Sequence, residues 1–223
     1  NDRYRDSVRQ FWLGDLARGY GEGVADIAAG ISGSSDVFYY RGPTSSINFL
    51  TAHDGFTLAD LTMYSNKRNE ANQEENRDGS NDNRSWNMGV EGPTDDAALM
   101  QLRHSLKKSM MATLLLSAGV PMITMGDEVC RTQAGSNNAY SMPAFMHPDI
   151  EDSPETFMGG WALSWNRDEM QEDLRKSVAE LIRIRETYLA DIASEFFTGR
   201  DLSRLGVEGE VFGNMDYGKK DPS

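Results

Sequence analysis

Two short stretches carry the residue types that hydrolytic chemistry uses. His53 and Asp54 stand together after the apolar run Ile47-Asn48-Phe49-Leu50-Thr51-Ala52 and before Gly55. A carboxylate accepts hydrogen bonds from two hydroxyls and an imidazole donates one, so this pair at a strand end can grip adjacent sugar hydroxyls. On spacing alone the plainer reading is a strand end with a satisfied imidazole and a turn carboxylate before glycine. Asp127 and Glu128 follow the second apolar run, Val120 to Met125. Neighbours on a strand point to opposite faces, so they make a poor catalytic pair, and a structural role at the strand end is favoured.

Residues 65–96 add a third candidate, a long polar stretch holding Asn69, Glu70, Asn72, Glu74, Glu75, Asn76, Arg77 and Asp78. Such carboxylates and amides suit calcium or carbohydrate hydroxyls, but the glycine falls in the wrong place for an EF-hand loop. A solvated polar loop is the plainer alternative. A segment of this length without secondary structure is uncommon unless functional or disordered. Lys67, Arg68, Arg77 and Trp86 argue against a simple flexible linker. Trp86, Trp161 and Trp165 offer flat surfaces for sugar rings, or simply fill cores. No nucleophilic triad order, phosphate-binding loop or zinc-protease motif is present, and Gly19-Tyr20-Gly21-Glu22-Gly23 lacks a dinucleotide-binding spacing.

The elements that must position these residues alternate. Tyr4, Val8, Phe11 and Trp12 recur at helical spacing, with Gly14 and Gly19 to end the helix. Residues 19–46 read as loop with one short helix near Val24 to Ala29. A strand spans 47–52. Thr57 can cap a helix running to Tyr64, with Asp60 completing a capping box. A strong helix runs from Asp96 to Ser117 with Leu99, Leu102, Leu106, Met110 and Leu114 inward; Gly119 and Pro121 stop it. A strand over 120–125 follows. The last clear helix spans 167–189, with Met170, Leu174, Val178, Leu181, Ile182 and Tyr188 inward. Strands alternating with helices predict βα units and a parallel sheet. From Gly199 the spaced glycines predict the start of a β-hairpin.

Composition narrows the partners. The chain has 223 residues, with 22 Lys+Arg against 35 Asp+Glu and a net charge of −13. Nucleic acid, which needs a basic face, is excluded as a partner, and no apolar run approaches the ~18 residues of a membrane span. One cysteine, Cys130, cannot form an internal disulfide or a cysteine-based zinc site. It is compatible with a reducing cytosol, and a cytoplasmic location is expected. The chain opens on Asn1 with no leader pattern and is expected to be cut from a longer precursor.

In combination, these motifs resemble one family. Ser46-Ile47-Asn48-Phe49-Leu50-Thr51-Ala52-His53-Asp54-Gly55-Phe56-Thr57-Leu58 resembles the seventh-strand motif of bacterial glycogen debranching enzymes and isoamylases, within the α-amylase superfamily. Asn69-Glu70-Ala71-Asn72, Glu75-Asn76-Arg77-Asp78-Gly79, Ser85-Trp86-Asn87 and Gly89 to Asp96 resemble its next loop. Leu114 to Met122 with Gly126-Asp127-Glu128 resembles its eighth strand and the preceding helix, and Asn137-Asn138-Ala139-Tyr140 the loop after it. Asn1 to Asp6 and Leu163-Ser164-Trp165 also match.

The resemblance implies an α/β fold: the C-terminal portion of a (β/α)₈ barrel, strands seven and eight with their helices, over residues 1–198. The start of a C-terminal β domain would occupy 199–223. It implies a retaining glycosidase acting on α-1,6 branch points of glycogen or limit dextrin without a cofactor, and the sequence gives no firm metal site. Asp54 would stabilise the transition state, and His53, Asn137, Asn138 and Tyr140 would bind substrate. The family's nucleophile and acid/base have no counterpart here, so this chain alone is expected to be inactive and its open barrel edges to self-associate. Residues 141–160 depart from the family pattern; a longer surface loop is favoured over altered subsites. The alternative from another class is a non-catalytic glucan-binding or scaffold module.

Overall fold

The computed structural model describes residues 1–14, 24–139 and 165–203. The chain divides into two compact units. The first comprises Asn1–Phe49, Ala112–Met122 and Leu181–Ser223; the second comprises Leu50–Met111 and Ile123–Glu180.

In the first unit, helix α1 (Asp2–Leu13) starts at Asn1, whose side chain accepts from the Tyr4 N–H at 3.1 Å. Such a cap satisfies one of the donors every helix start leaves open. Tyr4, Val8 and Leu13 are buried, and α1 packs against α2 (Val24–Ile31), where Ile27 and Ala28 are buried. Gly14 ends α1; a side chain there would run into Gln10. The helical turn α3 (Ser35–Phe38) leads into strand β1 (Ile47–Phe49). Helix α5 (Ala97–Leu116), which begins in the second unit, delivers the chain to strand β2 (Val120–Met122). The two strands pair in parallel, Ile47 opposite Val120 and Phe49 opposite Met122. Parallel neighbours require a long crossover between them, and the helix-bearing segment between β1 and β2 provides it.

The expected strands, 47–52 and 120–125, are therefore shorter in the structure. Beyond Phe49 and Met122 side chains take over from the ladder: Thr51 Oγ1 lies 3.0 Å from Thr124 Oγ1 and donates to Asp127 Oδ2.

The C-terminal end of α5 is held by a single cation. Arg185 donates to the carbonyls of Leu115 and Ser117, both at 2.7 Å, and of Gly119 at 2.5 Å. The first is an oxygen that a helix end leaves without an intrahelical partner; the other two belong to the turn that follows α5. Gly119, at φ +108°, makes the reversal, and a Cβ there would lie 2.9 Å from Asn48 Nδ2. The Tyr4 hydroxyl reaches the same turn, 2.8 Å from Ser117 Oγ and 3.1 Å from the Thr113 carbonyl.

In the second unit, the single-turn helix α4 (Leu58–Leu61) is capped by Thr57, which accepts from the Asp60 N–H at 3.1 Å. The expected helix through Tyr64 stops at this one turn. Asp60 extends its carboxylate to Thr132 Oγ1 (2.5 Å) and the Gln133 N–H (2.8 Å). The core here is Phe56, Leu58, Leu61, Tyr64, Met110, Met111, Leu174 and Val178.

The inward face of α5 differs from the expected one. Leu102 is 46% exposed, while Arg103 and His104 are buried. Arg103 is drawn inward by carbonyls: it donates to Gly92 (2.7 Å), Asn87 (2.8 Å) and Val90 (2.5 Å). His104 Nε2 lies 2.7 Å from Asp173 Oδ2 on α6 (Glu169–Ile184), a carboxylate that Lys108 also meets at 2.9 Å. Along α6 Leu174 and Val178 are buried as expected, whereas Ile182 and, in the π-helical turn Arg185–Leu189, Tyr188 are exposed. The expected hairpin lies outside the described residues beyond 203.

Replacing Arg185 with Met removes three charge-assisted hydrogen bonds and leaves carbonyls at a buried helix end. The expected loss of stability is about 3 kcal/mol, read by urea unfolding; a loss under about 1 kcal/mol would show that water takes over the role.

Candidate functional site

His53 and Asp54 project into solvent from a rigid base. Their side chains are 91% and 76% exposed, and His53 Nε2 lies 3.2 Å from Asp54 Oδ2. On one side Leu50 and Thr51 are buried; on the other, Phe56 and Thr57 are buried. Gly55, at φ +94° with open space around it, turns the chain between them. Its N–H donates to the Asn137 carbonyl at 2.8 Å, which joins the His-Asp turn to the loop of Asn137 and Asn138. Two of the expected site segments are thereby brought together. Tyr140 and Trp161 lie outside the described residues.

Asn137 is 2% exposed and its amide is turned inward. Its Oδ1 accepts from Asn69 Nδ2 at 2.7 Å; its Nδ2 donates to the Ser80 carbonyl and Asn83 Oδ1, both at 2.7 Å. Asn69, fully buried, completes the pair: its Oδ1 accepts from Ser136 Oγ and the Asn137 N–H, both at 3.0 Å. Asn138 is half-buried and donates to Asp78 Oδ2 at 2.9 Å, an oxygen that Asn72 also meets at 2.5 Å.

The long polar loop is thus ordered by its own side chains. Lys67 donates to three successive carbonyls, of Arg77 (3.3 Å), Asp78 (2.6 Å) and Gly79 (2.9 Å). Glu91 accepts from the N–H groups of Ser65 and Asn66 and from Asn87 Nδ2. Gly79 adopts φ +70°, and a Cβ there would collide with Asn137 Oδ1 and Asn69 Nδ2. A glycine is needed on both counts. Burial works against the Asp78 charge, but the hydrogen bonds from Asn72 and Asn138 outweigh it and hold its carboxyl below the usual range. Sequence reasoning did not single out Asn69, Lys67 and Gly79 as organisers; the density of asparagine in the loop was the only signal.

Asp127, by contrast, is structural. It is 1% exposed, accepts from Thr51 Oγ1, and accepts from the Leu58 N–H at 3.0 Å at the start of α4. Glu128 accepts from the Gly126 N–H at 2.8 Å. Burial pushes the carboxyls of Asp127 and Asp60 up to about 6 each, against hydrogen bonds that favour their charge.

Comparison with known proteins gives this arrangement a context. No family model matches the chain. The glycogen operon protein GlgX homolog of Mycobacterium tuberculosis is 40% identical over 230 residues, which cover 98% of this chain and 29% of that protein. The glycogen debranching enzyme of Serratia proteamaculans is 52% identical over 189 residues, 83% of this chain and 25% of that protein. The chain therefore spans under a third of the length of these curated relatives. Pullulanase from Bacillus acidopullulyticus shares the fold, with a TM-score of 0.52 and 21% identity over 83% of this chain and 18% of that one. The resemblance read from the motifs holds, and the fold is that of a piece of an α-amylase-type barrel. No helix of the described residues is long and apolar enough to cross a membrane.

Two outcomes follow for stability. Asn137→Ala breaks three buried amide hydrogen bonds and costs about 3 kcal/mol, with faster proteolysis in residues 65–96; unchanged proteolysis there would mean that the loop is held elsewhere. Asp60 and Asp127 bind protons more tightly folded than unfolded. Their contribution is full below the ordinary value of 3.8 and is lost as pH rises through about 6. The unfolding free energy should thus fall between about pH 4 and pH 7, by up to about 3 kcal/mol per group, and Asp127→Asn should flatten that slope in urea titrations.

Proposed function

From its homology to part of the bacterial glycogen debranching enzymes, we propose that this chain is the C-terminal portion of such an enzyme's barrel. In this reading it supplies strands seven and eight with their helices over 1–198, and the start of a β domain from 199. The complete enzyme hydrolyses α-1,6-glucosidic branch linkages of glycogen and limit dextrin by a retaining route, in the cytoplasm and without a cofactor. The observation that carries the reading is the exposed His53–Asp54 pair on its buried base, tied through Gly55 to the Asn137–Asn138 loop.

Each residue has a role in this reading. Asp54 accepts hydroxyls of the sugar at the cleavage point and holds the distorted ring, favouring positive charge at the anomeric carbon. His53 shares that subsite as a hydroxyl donor. Asn138 and Tyr140 meet neighbouring sugars. Asn137 acts through its backbone and its grip on Asn69, setting the height of the loop. The nucleophile and the general acid are contributed by residues outside this chain, so the 223 residues alone do not turn over. The exposed apolar side chains of the two-stranded sheet, Ile47, Val120 and Met122, support self-association of the isolated chain.

Reducing-end release from a branched limit dextrin tests the reading. The chain alone is expected to be silent, and a full-length polypeptide carrying it to be active. Asp54→Asn in the full-length protein should lower kcat by about 10²-fold or more with a smaller change in KM. Turnover by the isolated chain, or an unaffected Asp54→Asn variant, would sink this assignment.

A further inference from the structure

Just before β1 the first unit presents two aromatic rings to solvent. Tyr40 is 97% exposed, Tyr39 is 70% exposed, and Val37 beside them is 46% exposed. The rings stand edge to face, with centroids 5.2 Å apart and planes at 83°. The backbone beneath them is tightly turned: the N–H groups of Arg41 and Gly42 both donate to the Phe38 carbonyl, at 2.8 and 2.9 Å. Gly42 reverses the chain at φ +80° into the buried Pro43. The rings are therefore displayed from a fixed base.

Leaving two rings in water forgoes the stabilisation that their burial would give. We propose that Tyr39 and Tyr40 form an auxiliary surface that holds a neutral α-glucan chain, separate from the His53–Asp54 site. The proposal rests on the reading of the chain as part of a glucan-acting enzyme. Three considerations select this ligand. A pair of rings with one valine is far smaller than the roughly 800 Å² per side that a stable protein interface takes, but it matches one or two sugar rings. Phenol rings offer an apolar face to sugar C–H groups and a hydroxyl to sugar oxygens. The net charge of −13 disfavours an anionic ligand and is indifferent to a neutral one. Perpendicular rings give the sugar a floor and a wall. A second attachment point on a polymer raises the local concentration of branches at the first.

The test is native electrophoresis of this chain in gels containing glycogen. Wild type should be retarded. The Tyr39→Ala/Tyr40→Ala double variant should bind about tenfold more weakly. Phenylalanines at both positions should keep most of the retardation and leucines should lose it. The side chains are exposed, so thermal melts should match wild type. Unretarded wild type, or equal retardation of wild type and the double alanine variant, overturns the proposal. Retardation lost in Asp54→Asn alone places the glucan at His53–Asp54; the auxiliary surface then falls while the debranching reading stands. Failure of that reading is seen separately, in reducing-end release by the full-length protein.

Discussion

A backbone without regular secondary structure still has to satisfy its N–H and C=O groups, and in the second unit that requirement falls on one buried amide pair. Asn69 and Asn137 hold each other and, through their remaining atoms, the carbonyls of Asp78 and Ser80, the Asn137 N–H and the Ser136 hydroxyl. An unpaired polar group in such surroundings is costly, so the pair is all or nothing. Either both amides are engaged and the loop is folded, or the loop opens to water. Lys67 extends the same logic, with one ammonium standing where a strand or helix would have provided three donors. The His53–Asp54 turn inherits its rigidity from this network, because its Gly55 hangs from the Asn137 carbonyl.

The first unit meets the same constraint differently. There the open carbonyls belong to the end of α5 and the turn after it, and the guanidinium of Arg185 gathers three of them. A planar fork with five donors suits convergent carbonyls in a way that a lysine does not. In both units a cation with a long apolar stem replaces missing backbone donors. This explains why charged residues sit among the buried ones in a chain with so many charges on its surface.

What the sequence disclosed followed from local rules. The start of α4 was legible because Thr57 acts on a neighbour three residues away, and the end of α5 because Gly119 and Pro121 cannot continue it; the cap that Asn1 gives α1 went unread. The alternation that predicted parallel pairing is present in β1 and β2. What escaped depends on distant partners. Arg103 displaces Leu102 from the core side of α5 because carbonyls from residues 87–92 await it. Asp60 reads as a capping-box acid but reaches Thr132 and Gln133. The His53–Asp54 pair was visible as chemistry, whereas the scaffold beneath it was not. Polar residues in a loop look alike until it is known which of them are buried.

The grip on Asp78 has a consequence for the molecule's chemical lifetime. Among aspartates, one followed by glycine is the most prone to close into a succinimide, as the glycine nitrogen attacks the side-chain carboxyl. That attack needs a protonated carboxyl and a mobile glycine. Here the hydrogen bonds from Asn72 and Asn138 favour the charged carboxylate over the protonated acid, and Asn69 and Asn137 crowd the space beside Gly79. The same hydrogen bonds that shape the loop thus protect the Asp78–Gly79 link, and a molecule that loses them becomes open to slow backbone isomerisation there.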